Sequence, residues 1–304
     1  MKKRIFAVAV ALCLMAGTGV FAQEAKPAAA PKERPTVEQM AQRMTERMQK
    51  ELKLTDAQAK EVYNLNFQQI KEMQAMREKM REARKAEAEK MKSILRSAME
   101  HGAAGFSTGL IYTPSCYADE REIVELAKVI RPYGGIYASH MRNESYDLVR
   151  SVEETIDVGR KAGVTVDISH HKALGKANWG LVKTTLKMIH DARAEGINVI
   201  CDQYPYECNM THLNACVPPW HFDQGFDVLT EKLRDSAFRA QLRREMEDPA
   251  TPYDNYYLNA GGWGGVFVSS ATATPAAEGK FIADYASEIG KDPWDTFFDI
   301  MAEN

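Results

Sequence analysis

Several large functional classes are excluded by what this chain lacks. It has no surplus of positive charge: 39 Lys and Arg against 42 Asp and Glu leave a formal charge of −3. That removes the general electrostatic case for nucleic acid as a partner. No CxxC pair occurs, which excludes a zinc ribbon. No HExxH helix motif occurs, and Gly261-Gly262-Trp263-Gly264-Gly265 lacks the GxGxxG spacing, so it reads as a turn and not as a phosphate cradle. The apolar run Ile5–Met15 is too short for a bilayer span, which takes about 20 residues.

What stands at the start is a targeting signal over residues 1–22. Lys2, Lys3 and Arg4 precede the apolar run, and Val20-Phe21-Ala22 is a small-residue cleavage site before Gln23. Cys13 lacks the small residue expected before a lipidated cysteine. The expectation is an exported, periplasmic protein with no membrane span after signal removal. Four cysteines remain, Cys116, Cys201, Cys208 and Cys216, either with a bridge among the last three or as buried free thiols. Residues 23–36 are rich in Ala and Pro and read as a disordered linker.

From Val37 to about Lys90 there is no Gly and no Pro, and strong helix formers dominate. Thr55 and Gln58 form a capping-box pattern at a break. The expectation is an α-helical hairpin, with one helix over about 37–52 and another from 56 to about 90. Met40, Met44 and Met48 recur at helical spacing, as do Met73, Met76 and Met80. The stretch Leu54-Thr55-Asp56-Ala57-Gln58 in Met-rich charged helices resembles the periplasmic Spy/CpxP-type chaperones. That resemblance implies unfolded protein clients bound at these helices. Equally, the Met stripe reads as the hairpin's own core.

After Met91 the composition changes and a βα rhythm begins. Strand-like runs end near Thr108, His140, His170 and Asp202, at intervals of 32, 30 and 32 residues, about one βα unit each. The helical faces between them are Ile123/Leu126/Ala127/Ile130, Leu148/Val152/Ile156 and Val182/Leu186/Ile189. Gly134, Gly163 and Gly196 are placed as C-terminal caps. Val266–Ser270 reads as a fifth strand, Val228–Glu247 as a charged helix, and Ala276–Asn304 as helical with a last helix starting at Asp292-Pro293. The fold class expected is α/β, a partial (β/α)8 TIM barrel of about five strands. Its open edges offer a route to self-association.

His140 and His170 stand at matching ends of consecutive strands, where such folds keep their chemistry. Imidazole nitrogens bind zinc readily, so these two are the candidate metal ligands. Arg142 and Lys172 each follow a histidine by two residues and supply cations suited to a carboxylate or a developing oxyanion.

The segments GFSTGLIYTP, GGIYASHMRNE, VDISHHKALGKANWG and CDQYPY, in this order, resemble the N-acyl-D-amino-acid deacylase (D-aminoacylase) branch of the amidohydrolase superfamily. The similarity runs from about Met91 to Asn304. It implies a zinc barrel that hydrolyses the amide bond of a small-molecule N-acyl-D-amino acid. His140 and His170 match the mid-barrel zinc ligands. Lys172, Tyr112, Tyr204 and, less directly, Arg142 match substrate-pocket residues, while His171 has no assigned role. The resemblance also implies an early His-x-His pair, a cysteine ligand and a catalytic aspartate that have no counterpart here, so the expected zinc site is weak or incomplete. The two compositions meet near residues 85–92, as a natural fusion or an assembly artefact.

Overall fold

The computed structural model describes residues 35–304. The expected signal and all but the end of the expected linker lie outside the described residues. The chain divides into two compact units, one up to Arg81 and one from Glu82 to Asn304.

The first unit is helical. Helix α1 (Val37–Leu52) starts at Thr36, whose hydroxyl accepts from Gln39 N while Gln39 Oε1 accepts from Thr36 N. It ends where Lys53 turns left-handed. Helix α2 (Asp56–Glu100) begins with the expected box: Thr55 N donates to Gln58 Oε1 at 3.0 Å, and Gln58 N to Thr55 Oγ1 at 3.4 Å. Ala41 and Met48 on α1 and Val62 and Ile70 on α2 are buried. Beside them Asn66 Nδ2 donates to Thr45 Oγ1 at 3.0 Å, so this buried amide is satisfied. The Met stripe is only partly core: Met48 is buried, whereas Met73, Met76 and Met80 are exposed. Helix α2 runs ten residues beyond the expected end near 90, because no glycine interrupts it before Gly102.

In the second unit four strands, β1 (Gly105–Gly109), β2 (Ile136–His140), β3 (Thr165–Ile168) and β4 (Val199–Cys201), form a parallel sheet in chain order. Helices α3 (Glu120–Ile130), α4 (Leu148–Ala162) and α5 (Leu181–Ala194) alternate with them. Gly134, Gly163 and Gly196 have φ of 65°, 70° and 87°, a region that favours glycine, and each ends a helical stretch. Tyr137, Val166, Ile168 and Val199 from the strands pack with Ile123, Ile130, Val152, Ile156 and Ile189 from the helices. The face expected on α5 is shifted: Thr185, Ile189 and Ala192 are buried and Leu186 is exposed.

The parallel order stops at β4. The run expected as a fifth strand is β5 (Phe267–Val268), and it pairs antiparallel with β6 (Lys280–Phe281) in a separate ribbon. The expected charged helix is two, α6 (Phe226–Lys232) and α7 (Ser236–Glu247), because the Asp235 side chain caps a new start. After the short α8 (Tyr256–Asn259), α9 (Ile282–Glu288) and α10 (Pro293–Glu303) complete a second core around Trp263, Trp294, Phe297 and Phe298. Asp292 caps α10 as expected. Cys116, Cys201, Cys208 and Cys216 are unbridged; only Cys216 is buried, and Cys201 and Cys208 are exposed.

Candidate metal centre

Parallel pairing of β2 with β3 brings their carboxyl ends to one edge, with Ser139 opposite Ile168. His140 closes β2, and His170 stands two residues past β3. The two rings meet edge to face with centroids 4.5 Å apart. His170 has φ 43°, a left-handed turn that histidine tolerates better than most residues. Its N–H donates to Asp202 Oδ1 at 2.6 Å, which ties that turn to the end of β4.

A third group, absent from the expectations, completes the cluster. Glu144 stands four residues after His140 and is fully buried. Its Oε1 is 2.9 Å from His170 Nδ1 and its Oε2 is 2.6 Å from Lys172 Nζ. Candidate ligand atoms of His140, Glu144 and His170 all lie within 4.8 Å of one another.

The electrostatics favour a cation here. Burial, offset in part by Glu144, pushes the His140 imidazole down to about 4, so it is neutral at pH 7 and its lone pair is available. Burial alone would raise the Glu144 carboxyl. The adjacent His170 ring, Lys172 and His140 outweigh it and hold the group ionised, below its ordinary value. Yet His140 Nε2 and both Glu144 oxygens are sealed from solvent without a hydrogen-bond partner; the neighbours of the carboxylate stand at ion-pair distance but outside hydrogen-bond geometry. Each such atom costs about 1–3 kcal/mol if left unsatisfied. Imidazole nitrogen and carboxylate oxygen are both zinc donors, so the residues present fit a zinc ion.

The remaining expected residues divide. Lys172 joins the cluster, with Nζ also 2.9 Å from His170 Nδ1 and 5.6 Å from the centre of the Tyr204 ring. The Tyr204 hydroxyl is buried without a partner, and burial pushes it up to about 12. The Tyr112 ring lies 5.0 Å from that of His140, with its hydroxyl bonded to Thr211 Oγ1 at 2.8 Å. Arg142 is spent elsewhere: it pairs with Glu154 through Nε and Nη2 and donates to the carbonyls of Cys116 and Ala118. His171 is buried and bonded to Thr185 Oγ1 at 2.8 Å, a packing role.

The four-stranded parallel βα sheet, with two imidazoles, a carboxylate and a lysine at its strand ends, is similar to part of an amidohydrolase barrel. Comparison with known proteins agrees. The chain is 41% identical over 139 residues to the N-acyl-D-glutamate deacylase of Alcaligenes xylosoxydans xylosoxydans, which covers 46% of the chain and 28% of that relative. It is 42% identical over 123 residues to the D-aminoacylase of the same organism, covering 40% of the chain and 25% of that relative. Among solved structures it is similar to the N-acyl-D-glutamate deacylase of Bordetella bronchiseptica, determined with zinc and a phosphonate mimic of the tetrahedral intermediate. That likeness has a TM-score of 0.54 and 29% identity, and it covers 72% of this chain and 37% of that one. The chain thus spans between a quarter and two fifths of the length of these relatives. Residues 22–104 match a family described as a domain of unknown function (DUF4890); the expected likeness to the Spy/CpxP type is not shown by this match.

Proposed function

We propose that the unit from Glu82 to Asn304 serves zinc-dependent hydrolysis of the amide bond of N-acyl-D-amino acids, with His140, His170 and Glu144 holding the metal. The chemistry that zinc supplies in such a site is Lewis acidity toward a carbonyl oxygen. The chain's own groups do the rest. His140, neutral at pH 7, keeps a nitrogen free of protons and of hydrogen bonds. Lys172, with its side chain 15% exposed, brings a fixed positive charge suited to the substrate carboxylate or to charge developing on the carbonyl oxygen. Tyr204, held protonated by burial, has a hydroxyl ready to donate a hydrogen bond. The Tyr112 and Tyr204 rings flank the cluster and limit water beside it.

The observation that carries the reading is the convergence of His140, Glu144 and His170 with three buried donor atoms left unpartnered. The test is zinc content together with hydrolysis of N-acetyl-D-methionine. The His140→Ala/His170→Ala double variant should lose stoichiometric zinc and all hydrolysis above background. Unchanged zinc in that variant rejects the site.

A further inference from the structure

The carboxylate of Glu144 stands at ion-pair distance from His170 and Lys172 without aligned hydrogen bonds, so where it faces depends on how its main chain is held. Both backbone groups of Glu144 are pinned by distant segments. Its carbonyl accepts from Leu174 N at 2.8 Å, in the loop after β3. Its N–H donates to Asp254 Oδ2 at 2.7 Å, from a loop 110 residues away. The other Asp254 oxygen accepts from Ser145 Oγ at 2.6 Å and Asn259 Nδ2 at 3.0 Å. Asp254 is 4% exposed. Its partner Asn259 is itself packed against Gly175, where a Cβ would come within 2.4 Å of Asn259 Oδ1 and where φ is +79°. The loops after β2 and β3 and the loop before α8 therefore lock together around one carboxylate.

The charge arrangement separates this device from ordinary loop packing. Two carboxylates, Glu144 and Asp254, are buried side by side. Glu144 has His170 and Lys172 at ion-pair distance, whereas Asp254, among the described residues, has no cation that close. A buried anion without a cation is costly, and here the three donors Glu144 N, Ser145 Oγ and Asn259 Nδ2 offset that cost. A second negative charge there lowers the potential at the cluster, an arrangement that suits a bound divalent cation.

We infer that Asp254 is a positioning residue that holds the Glu144 main chain so that its carboxylate faces His140 and His170. The inference rests on the metal reading proposed above and goes beyond it by assigning the group that builds the third donor.

The test compares Asp254→Ala and Asp254→Asn with the wild type in the full chain. Zinc affinity is measured by competition with a chromophoric chelator, exchange of the Glu144 N–H by hydrogen–deuterium methods, and stability by urea. Asp254→Ala should weaken zinc about 10- to 100-fold, the range typical when a group supporting a ligand is lost, and should speed exchange at Glu144. Asp254→Asn keeps a carbonyl oxygen for the Glu144 N–H and should recover part of both losses. Ser145→Ala removes a donor to Asp254 without touching that N–H and should bind zinc close to wild type. Lower urea stability with zinc affinity unchanged would mean a packing role only and would overturn the inference. If the wild type takes up no zinc, the metal reading fails by itself. Asp254 is then decided by exchange: unchanged protection of the Glu144 N–H in both variants overturns its role, and loss of protection in Asp254→Ala sustains it.

Discussion

Glu144 decides what the strand-end histidines can do. Its carboxylate neutralises Lys172 and supplies a third donor beside the two imidazoles. Replacing it with the isosteric amide, Glu144→Gln, leaves the largely buried Lys172 charge with no anion beside it. Breaking a buried pair in this way costs about 3 kcal/mol or more, so urea unfolding in EDTA should show a loss of that size. The double variant Glu144→Gln/Lys172→Met should recover most of it, because the stranded charge is gone. Equal losses in the single and double variants would show that the pair is idle. The two histidines were legible in the sequence because each follows an apolar run at the period of a βα repeat. Glu144 was not legible: it sits in the polar string Arg142-Asn143-Glu144-Ser145, and its main chain is bonded to a loop more than a hundred residues downstream. Arg142 and Lys172 share one offset from their histidines but not one direction. The chain turns left-handed at His170 and not at His140, so equal spacing sends the two cations to different places.

Among the elements, local signals were read well and partner choice was not. The capping box at Thr55, the helix start at Asp292 and the glycines Gly134, Gly163 and Gly196 all act within a few residues, and each is where the sequence puts it, whereas the box at Thr36 went unread. Strand pairing is not local, and β5 pairs with β6 through a nearby turn instead of extending the parallel sheet. The change in composition near Met91 also misled, since a helix ends where its backbone is interrupted, not where its side chains change character. The part of α2 inside the second unit is fastened to α3 by charge: Glu125 takes Lys92 at 2.9 Å and Lys128 at 2.8 Å. Lys128 first, then Lys92, holds the Glu125 carboxyl down at about 2. A carboxylate whose folded pKa is depressed contributes stability above its unfolded pKa and loses it as pH falls through the folded value. The melting temperature of the wild type should therefore exceed that of Glu125→Gln at neutral pH, and the gap should close between about pH 5 and pH 2. Because Glu125 is partly exposed, added salt should narrow the same gap. A gap independent of both pH and salt would mean that the ion pairs contribute nothing.

For the whole molecule, the division into two units has a consequence for unfolding. Among the described residues the helical unit buries little: Ala41, Met48, Val62, Ile70 and the Asn66–Thr45 pair are the main part of its interior. The unit from Glu82 onward owns two large apolar clusters, one under the parallel sheet and one around Trp263 and Trp294. Small interiors give small stabilities, because the fraction of surface removed from water rises with size. The helical unit should therefore lose its structure at lower urea than its larger neighbour. The chain provides separate reporters, since its 4 tryptophans, Trp179, Trp220, Trp263 and Trp294, all lie in the second unit, whereas helical ellipticity reports on both. Ellipticity should begin to fall before tryptophan fluorescence changes. Zinc adds a second discriminant. A ligand that binds only the folded state stabilises it by RT ln(1 + [L]/Kd), about 2.7 kcal/mol at a hundredfold excess over Kd. That shift should appear in the fluorescence transition, leave the early ellipticity loss where it was, and vanish in His140→Ala/His170→Ala. Coincident transitions that move together with zinc would show instead that the two units unfold as one cooperative body.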